Sequence, residues 1–216
     1  MNDNQLRQNV IDEFEFDPRF CGEHIGVAVE KSVVTLTGHV ESYAEKLAAI
    51  AAAQRVKGVK AIAEEIEVRY PFQKKTEDDQ IAKRAIDILN WDVMIPEDSV
   101  KVLVRDGWVT LSGEVNWQYQ RKAAEDDVRK LSGVRGVTNQ IAIRSRVDAS
   151  NVKSKIEAAL KRHAELEANA IRISVQQGNR IVLEGKVDNW EERVAAENAA
   201  WSAPGVEWVE DLLTIR

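Results

Sequence analysis

One short pattern occurs three times in the chain, and this repetition constrains the fold more than any other feature. The segments VVTLTGHV, WVTLSGEV and RIVLEGKV begin at residues 33, 108 and 180. Each contains a glycine, and a second glycine followed by valine comes 20 residues later. The first glycines are 75 and then 72 residues apart, so the 216-residue chain is one unit of about 70 residues written three times. Self-similarity at a fixed period predicts a repeat architecture.

The hydrophobic pattern within each copy predicts the same five elements. An amphipathic helix comes first, as in residues 6–17 and 81–92. Two strands with alternating apolar residues follow, and turn sequences such as Asp106-Gly107 and Gly178-Asn179 favour tight hairpins between them. A second helix with a small apolar face and a last strand complete the unit. A parallel crossover around the second helix would place both helices on the apolar face of the sheet.

The predicted fold class is therefore α+β, with three tandem αββαβ units. Each unit is predicted to be a small three-stranded mixed sheet with two helices on one face. The predicted domains are residues 1–72, 76–145 and 149–216, which we call the first, second and third repeats. The linkers between them are short, so we expect neighbouring repeats to touch.

Six glycines in matching register define the repeat. The first glycine of each copy falls on the buried side of its strand, where a missing side chain leaves room for a helix to approach closely or for a bulge. The second glycine precedes a valine and the last strand. These six fold-defining glycines are Gly38, Gly58, Gly113, Gly133, Gly185 and Gly205.

Composition excludes several classes of protein. A net charge of −6 argues against nucleic-acid binding, which depends on neutralising phosphates. Cys21 is the only cysteine, so a disulfide framework is excluded and a reducing compartment is favoured. No secretory signal and no apolar stretch of membrane-spanning length is visible. We expect a cytoplasmic protein, or a periplasmic one only if an N-terminal segment is missing from this chain.

Residues that could perform chemistry do not recur at matching positions of the repeats. The histidines His24, His39 and His163 occupy unrelated places in their units, and no G-x-S-x-G motif exists. Cys21 and His24 are three residues apart, but a metal site would need two further ligands nearby. We therefore predict that the protein is not an enzyme and that it has no catalytic residue, no metal site and no cofactor.

Two surfaces remain as candidate contact sites. A basic stretch of the second repeat could face anionic lipid headgroups through Arg121, Lys122, Arg129 and Lys130. The same residues stand four positions from Glu125 or Asp126, which is how a self-neutralised exposed helix is built. Aromatic residues recur where the second helix begins, and they form either a contact edge for a partner or a local packing layer. These aromatic residues are Tyr43, Trp117, Tyr119 and Trp190.

The αββαβ unit with V-x-L-x-G-x-V, a helix, G-V and a last strand resembles the BON domain, a family named for bacterial osmotically inducible and nodulation proteins. The resemblance is carried by the six glycines and their flanking apolar residues, such as Val34, Leu36, Val40 and Val59. It implies a non-enzymatic module for phospholipid or envelope association under osmotic stress. Two other functions remain open: a protein-interaction scaffold or chaperone-like module, and a small-ligand or ion-binding sensor.

Overall fold

Three αββαβ units follow one another along the chain, and each forms its own three-stranded sheet, as the sequence predicts. The structure is a computed structural model that describes residues 2–70, 76–144, 152–162, 171–176 and 180–216. The predicted Gly178-Asn179 turn, His163 and most of both predicted linkers lie outside these residues.

The helices and strands have the following bounds. The first repeat contains α1 Asp3–Phe16, β1 Ile25–Glu30, β2 Val33–Val40, α2 Tyr43–Arg55 and β3 Ala61–Val68. The second contains α3 Asp78–Trp91, β4 Val100–Arg105, β5 Trp108–Val115, α4 Gln118–Val128 and β6 Gly136–Ile143. The third contains α5 Val152–Arg162, β7 Ile171–Gln176, β8 Arg180–Val187, α6 Trp190–Trp201 and β9 Trp208–Ile215.

The strand after the hairpin turn is the middle strand of each sheet. In the first repeat, β2 pairs antiparallel with β1 and parallel with β3, and the third repeat has the same pairing among β7, β8 and β9. This is the mixed sheet that a hairpin followed by a helical crossover produces. The strand order of the second sheet is the same.

The core of the first repeat lies between the apolar face of its sheet and its two helices. Val34 and Leu36 of β2 are fully buried, and small residues such as Ala49 and Ala53 let α2 pack closely on the strands. The third repeat has a corresponding core. Ile86 shares the helical spacing of the apolar residues of α3, which favours a core position, but the side chain is 50% exposed and that prediction is wrong. The buried side of α3 consists instead of Ile81, Ala85 and Leu89 at strict four-residue spacing.

The start of the first helix is held by the hairpin of its own repeat. The Asp3 carboxylate accepts hydrogen bonds from the backbone N–H groups of Lys31 and Ser32 at 2.8 and 3.1 Å. Asp78 does the same for Asp106 and Gly107 in the second repeat. The sequence before α3, Thr76 to Asp79, favours a side-chain cap, but Glu77 at the cap position makes no side-chain cap bond. Asp78 ties the start of α3 to the turn instead.

The first glycine of each repeat has a backbone conformation that other residues rarely adopt. Its φ is +116° at Gly38, +133° at Gly113 and +138° at Gly185. At Gly38 a Cβ atom would lie 2.0 Å from the carbonyl oxygen of His24, and its other two nearest atoms are also backbone atoms of His24 and Ile25. The expected close approach of a helix at Gly38 is therefore wrong, and backbone from the start of β1 fills that space.

A helix does approach the second glycine. A Cβ at Gly133 would lie 2.8 Å from Cδ1 of Ile81 in α3 and 2.8 Å from Cβ of Thr76. The φ of Gly133 is +96°, and Gly58 and Gly205 have φ values of +100° and +90°. Gly133 thus combines a left-handed turn with room for α3, and Gly58 and Gly205 share the left-handed turn.

The chain divides into two compact units. One unit consists of Met1–Ser112 and Ala123–Gln140, and the other of Gly113–Lys122 and Ile141–Arg216. Each unit therefore contains one whole repeat together with part of the second repeat.

A network of ion pairs closes the end of α1 in the first repeat. The Asp17 carboxylate is 4% exposed and accepts hydrogen bonds from Arg19 at 2.6 and 2.8 Å and from Arg55 at 2.8 Å. Arg55 also contacts Glu13 at 2.7 Å. The hydrogen bonds from Arg19, and next those from Arg55, hold the pKa of Asp17 well below its ordinary value of 3.8 despite its burial.

We expect Asp17→Asn to lower the free energy of unfolding at neutral pH by about 1.5–3 kcal/mol, the scale of hydrogen bonds to charged groups. Because the pKa is lowered in the folded state, the stability that Asp17 contributes is full above pH 3.8 and is lost as the pH falls through the folded-state pKa. Urea unfolding at pH 7 and at acidic pH measures this difference. Asp12→Asn on the exposed side of α1 is the control, and an equal loss in both variants would contradict the role of Asp17.

Candidate functional site

The predicted contact edge lies where the second helix of each repeat begins. Tyr43 and Trp190 are the first residues of α2 and α6, and Trp117 directly precedes α4. All three are half-buried, whereas Tyr119 on α4 is 54% exposed. Partial exposure agrees with an edge that a partner could cover, and a role in binding stays a prediction.

In the first repeat this edge already has a neighbour within the chain. The Tyr70 hydroxyl donates a hydrogen bond to the backbone carbonyl of Val134 in the second repeat. Tyr43 forms a hydrogen bond with the backbone of Val137. Burial is the largest cause that raises the pKa of both tyrosines. The first and second repeats therefore touch, as their short linker predicts, and Tyr43 serves this internal contact.

A charged pair covers the open edge of the last strand in the first repeat. Lys46 on α2 lies 2.7 Å from the Glu64 carboxylate and donates a hydrogen bond to the carbonyl of Ile66 at 2.9 Å. Glu64 accepts the backbone N–H of Ile66 at 2.9 Å. Occupied edge groups oppose the addition of a further strand. The third repeat has a similar pair, Arg193 and Asp211. The Asp211 carboxylate also accepts a hydrogen bond from the backbone N–H of Leu213.

The basic stretch of the second repeat is paired with acids. Arg129 lies 2.9 Å from Asp126, and Lys130 lies 3.8 Å from Asp127. Both pairs are three residues apart, so the predicted four-residue spacing is wrong for them. The physical reason is that α4 ends at Val128, which puts both cations in the turn beyond the helix. Arg121 and Lys122 lie within α4, and headgroup binding by these four residues stays a prediction.

The two histidines of the first repeat meet, which the sequence analysis did not predict. The rings of His24 and His39 stack with centroids 4.9 Å apart and planes at 9°. Their positions looked unrelated in sequence, but the turn before β1 places His24 next to the end of β2. Cys21 is a free, exposed thiol. Within the described part of the chain, no group of three or more His, Cys, Asp or Glu residues could hold a metal ion.

The outer face of the third sheet carries three apolar residues. Val182 in the middle strand is only 4% exposed, while Trp208 and Leu212 on β9 are 51% and 50% exposed. The Arg180 guanidinium lies 5.3 Å from the centre of the Trp208 ring and 3.5 Å from Glu210. The Arg180 guanidinium covers part of the Trp208 ring, so only part of the apolar surface of this ring is accessible to a partner.

The most exposed apolar group of the second repeat lies at the end of α3, and the sequence analysis missed it. Trp91, Val93 and Met94 are 85%, 98% and 50% exposed. We call residues 91–94 the α3 tip. Leu89 before it and Ile95 after it are 5% and 7% exposed, so buried residues hold both ends of the tip. The available signal was that Trp91 falls outside the four-residue spacing of the buried side of α3.

The α3 tip is an ordered turn, because Asp92 organises its backbone. The Asp92 N–H bonds to the carbonyl of Ile88, and the Asp92 carboxylate accepts the N–H of Met94 at 2.8 Å. The N–H of Ile95 then bonds to the Asp92 carbonyl at 3.1 Å. An aspartate that bonds to the N–H two residues on is a common way to fix a turn. The exposed side chains are thus presented by fixed backbone.

The first repeat has the same turn with different chemistry. Phe16 ends α1 and is 83% exposed, as Trp91 is at the end of α3. The Asp17 carboxylate accepts the N–H of Arg19 at 3.1 Å, in the manner of Asp92 and Met94. The position of Met94 is occupied in the first repeat by the charged residue Arg19. Of these two repeats, only the second therefore has three apolar side chains at the end of its first helix. The corresponding position of the third repeat is outside the described residues.

The repeated glycines and the αββαβ order can now be compared with known proteins. A family model described as "BON domain" matches residues 2–70, 77–145 and 148–216. The chain belongs to the BON domain family. The resemblance found in the glycine motif is thereby confirmed. Among the described residues, no helix is long and apolar enough to cross a membrane.

One relative is "Osmotically-inducible protein Y" of Escherichia coli (strain K12). This BON domain chain is 34% identical to it over an alignment of 126 residues, which covers 54% of the chain and 60% of that protein. Two solved structures of CdsD, a structural protein of the type III secretion system of Chlamydia trachomatis, are 15% and 13% identical. The two alignments cover 98% and 100% of this chain, and they cover 92% and 100% of the two CdsD chains. Both TM-scores are 0.27.

Proposed function

We propose that this BON domain protein is a non-enzymatic protein that associates with a phospholipid surface during osmotic stress, and that the α3 tip makes the contact. The observation that carries the proposal is the exposure of Trp91 and Val93, 85% and 98%, on an ordered turn. Similarity to a protein described as osmotically inducible supports the link to osmotic stress.

The chemistry of the α3 tip fits a lipid interface. An indole joins a large apolar ring to one N–H donor, so tryptophan is favoured at the boundary between lipid and water. Val93 and Met94 add apolar side chains without charge. Insertion would remove these side chains from water, and each buried CH₂ group contributes about 0.8 kcal/mol.

The size of the tip favours a lipid surface over a protein partner. A standard protein–protein interface buries about 800 Å² on each partner, whereas an aromatic side chain buries about 150–250 Å². Three side chains therefore fall well short of a stable protein interface. Peripheral attachment to a membrane needs only a few apolar groups in the headgroup region.

Vesicle flotation of the whole chain tests the proposal. We expect the protein to float with phosphatidylcholine vesicles and the double variant Trp91→Ala, Val93→Ser to lose at least about tenfold in affinity, since about 1.4 kcal/mol corresponds to a factor of ten. Because both side chains are exposed, the variant should keep the melting temperature of the parent. Flotation is preferable to intrinsic fluorescence, because the chain has six tryptophans.

Leu103→Ser is the matched control, since Leu103 is 60% exposed on β4 of the same repeat but lies outside the tip. Equal flotation of the parent and the tip variant would contradict the proposal. If the unmodified protein bound no vesicle, the alternative function as a protein-interaction scaffold would be favoured. Binding to unfolded or partner proteins would then test that function. Compaction on adding a small ligand or ion would favour the sensor.

A further inference from the structure

We propose that β4, the edge strand of the second repeat, binds an extended acidic peptide of another protein as a further strand of its sheet. This surface is separate from the α3 tip and does not depend on the proposed lipid contact. An uncovered strand edge, an apolar groove beside α3 and two unbalanced cations on β4 together define the partner.

The edge of the first strand is covered in the first repeat by a side chain that the second repeat lacks. β1 and β4 are edge strands of their sheets. Arg7 on α1 donates a hydrogen bond from Nε to the backbone carbonyl of Val27 at 2.9 Å, so this carbonyl faces away from β2. Ala82 has the position of Arg7 in the second repeat, and its side chain has no donor. The carbonyl of Val102, which corresponds to Val27, therefore lacks this cover.

Backbone groups along β4 offer hydrogen bonds to an added strand. In an antiparallel pair, alternate residues turn their N–H and C=O groups away from the partner strand. By correspondence with Val27, these residues of β4 are Val100, Val102 and Val104. Such an edge is a template for another chain, and main-chain hydrogen bonds supply the affinity when a peptide adds to it.

The groove between α3 and β4 is apolar and partly open. Ile86 lies one turn after Ala82 on the same side of α3 and is 50% exposed, whereas the corresponding Ile11 packs against the core of the first repeat. The three valines of β4 are half-buried, whereas two of the three matching positions of β1 are buried. Glu157 takes the place of Ile86 in the third repeat. Of the three repeats, the second therefore suits the apolar side chains of a peptide.

The charges of β4 select an acidic partner. Its sequence is VKVLVR, so Lys101 and Arg105 are its charged residues, and both are exposed on the outer face of the sheet. The nearest acids along the chain, Asp98 and Asp106, lie in the turns beyond the two ends of the strand. Within the part of the chain that the structure describes, neither cation forms an ion pair. An added strand would therefore meet two unbalanced positive charges.

Strand pairing brings the side chains of the partner beside these cations. Residues directly opposite each other on neighbouring strands have Cβ atoms about 4.5–5.5 Å apart, and each charge pair there changes affinity by up to about fivefold. The preferred peptide alternates apolar residues, which face α3, with acidic residues, which face Lys101 and Arg105. A second copy of the chain fits less well, because pairing about Leu103 would place Lys101 of one copy opposite Arg105 of the other.

Two synthetic peptides of roughly eight residues, a usual strand length, test the partner. One alternates valine with glutamate and the other alternates valine with lysine, so they differ in charge and share the apolar pattern. Fluorescence anisotropy of the labelled peptides measures binding to the whole chain. We expect the glutamate peptide to bind at least about tenfold more tightly at low salt. Equal binding of the two peptides, or no binding of the glutamate peptide, would overturn the proposal.

Reversing the charges of β4 should invert the preference. We expect the variant Lys101→Glu, Arg105→Glu to bind the lysine peptide more tightly than the glutamate peptide, which a general loss of stability would not produce. The control is Lys83→Glu, Arg84→Glu, which reverses two exposed cations of the same repeat outside β4 and should keep the original preference. An equal inversion in both variants would assign the preference to net charge and overturn the role of β4.

A second pair of variants tests the strand edge. Ala82→Arg copies Arg7 and should weaken binding of the glutamate peptide by roughly tenfold, the equivalent of one lost hydrogen bond, although it adds a positive charge. Ala82→Leu has similar bulk without a donor and should bind as the unmodified protein does. An equal loss in both variants would overturn the role of the Val102 carbonyl.

The other occupants have distinct outcomes. A dimer of the unmodified protein in sedimentation that Ala82→Arg abolishes would make a second copy the occupant and overturn the acidic partner. Vesicle flotation of Lys101→Glu, Arg105→Glu should match that of the unmodified protein, because β4 lies outside the α3 tip. A loss of flotation in this variant would overturn the separation of the two surfaces.

Discussion

Gly38→Ala is expected to destabilise the first repeat by about 2–6 kcal/mol, from about 1–3 kcal/mol of backbone strain and a similar cost of forced displacement. The strain arises because φ at Gly38 is +116°. The displacement arises because the new Cβ would lie 2.0 Å from the carbonyl oxygen of His24, and a backbone atom cannot move away as a side-chain tip can. Urea unfolding followed by circular dichroism measures the loss.

Gly26→Ala is the matched control in the same sheet. Its Cβ would meet Oγ1 of Thr37 at 2.7 Å, and a threonine hydroxyl can rotate. Gly26 also has no positive φ. We expect this variant to cost far less than Gly38→Ala. Similar unfolding midpoints for the two variants would show that backbone conformation at Gly38 is not what the repeated glycine provides.

Gly133→Ala is expected to cost a comparable amount, about 2–5 kcal/mol from strain at positive φ and overpacking. The new Cβ would lie 2.8 Å from both Ile81 and Thr76, and Ile81 is fully buried. The next residue, Val134, accepts the Tyr70 hydroxyl hydrogen bond from the first repeat. We therefore expect the variant to weaken the contact between the first two repeats as well as the second repeat itself.

Two readouts distinguish these effects. Urea unfolding measures the loss of stability, and hydrogen exchange at α2 reports whether the first repeat loosens with it. Gly136→Ala is the control, because the three atoms nearest to its Cβ would all belong to the ring of Trp108, which is 53% exposed and can swing outward. A loss at Gly136 as large as the loss at Gly133 would contradict the role of the left-handed turn and the α3 contact.

The architecture could be predicted from residues close together in the chain. Alternation of Val34, Leu36 and Val40 with polar residues identified the buried side of β2, and the strand order followed from a hairpin and a crossover. Period and spacing are local properties, and the backbone geometry of strands and helices converts them directly into faces. The six glycines were recognised for the same reason, since their register alone revealed the repeat.

The site was less predictable because exposure depends on segments distant in sequence. Ile11 and Ile86 occupy equivalent positions in their helices, yet Ile11 packs against its core while Ile86 is half exposed. Val182 is buried, although Arg180 and Glu184, two positions away on the same face of β8, are exposed. Neighbouring side chains, such as the Arg180 guanidinium over Trp208, decide these cases.

The repeat pattern was sufficient to determine three αββαβ units, their element order and the glycines that define them, because these depend on periodicity within about 20 residues. Packing decided that His24 backbone lies against Gly38, that Tyr43 faces the second repeat, and that Trp91 stands in solvent. Each of these depends on a contact, or the lack of one, between segments far apart in the chain. Such contacts follow from how closely helices and strands approach in three dimensions, which no local pattern of residues records.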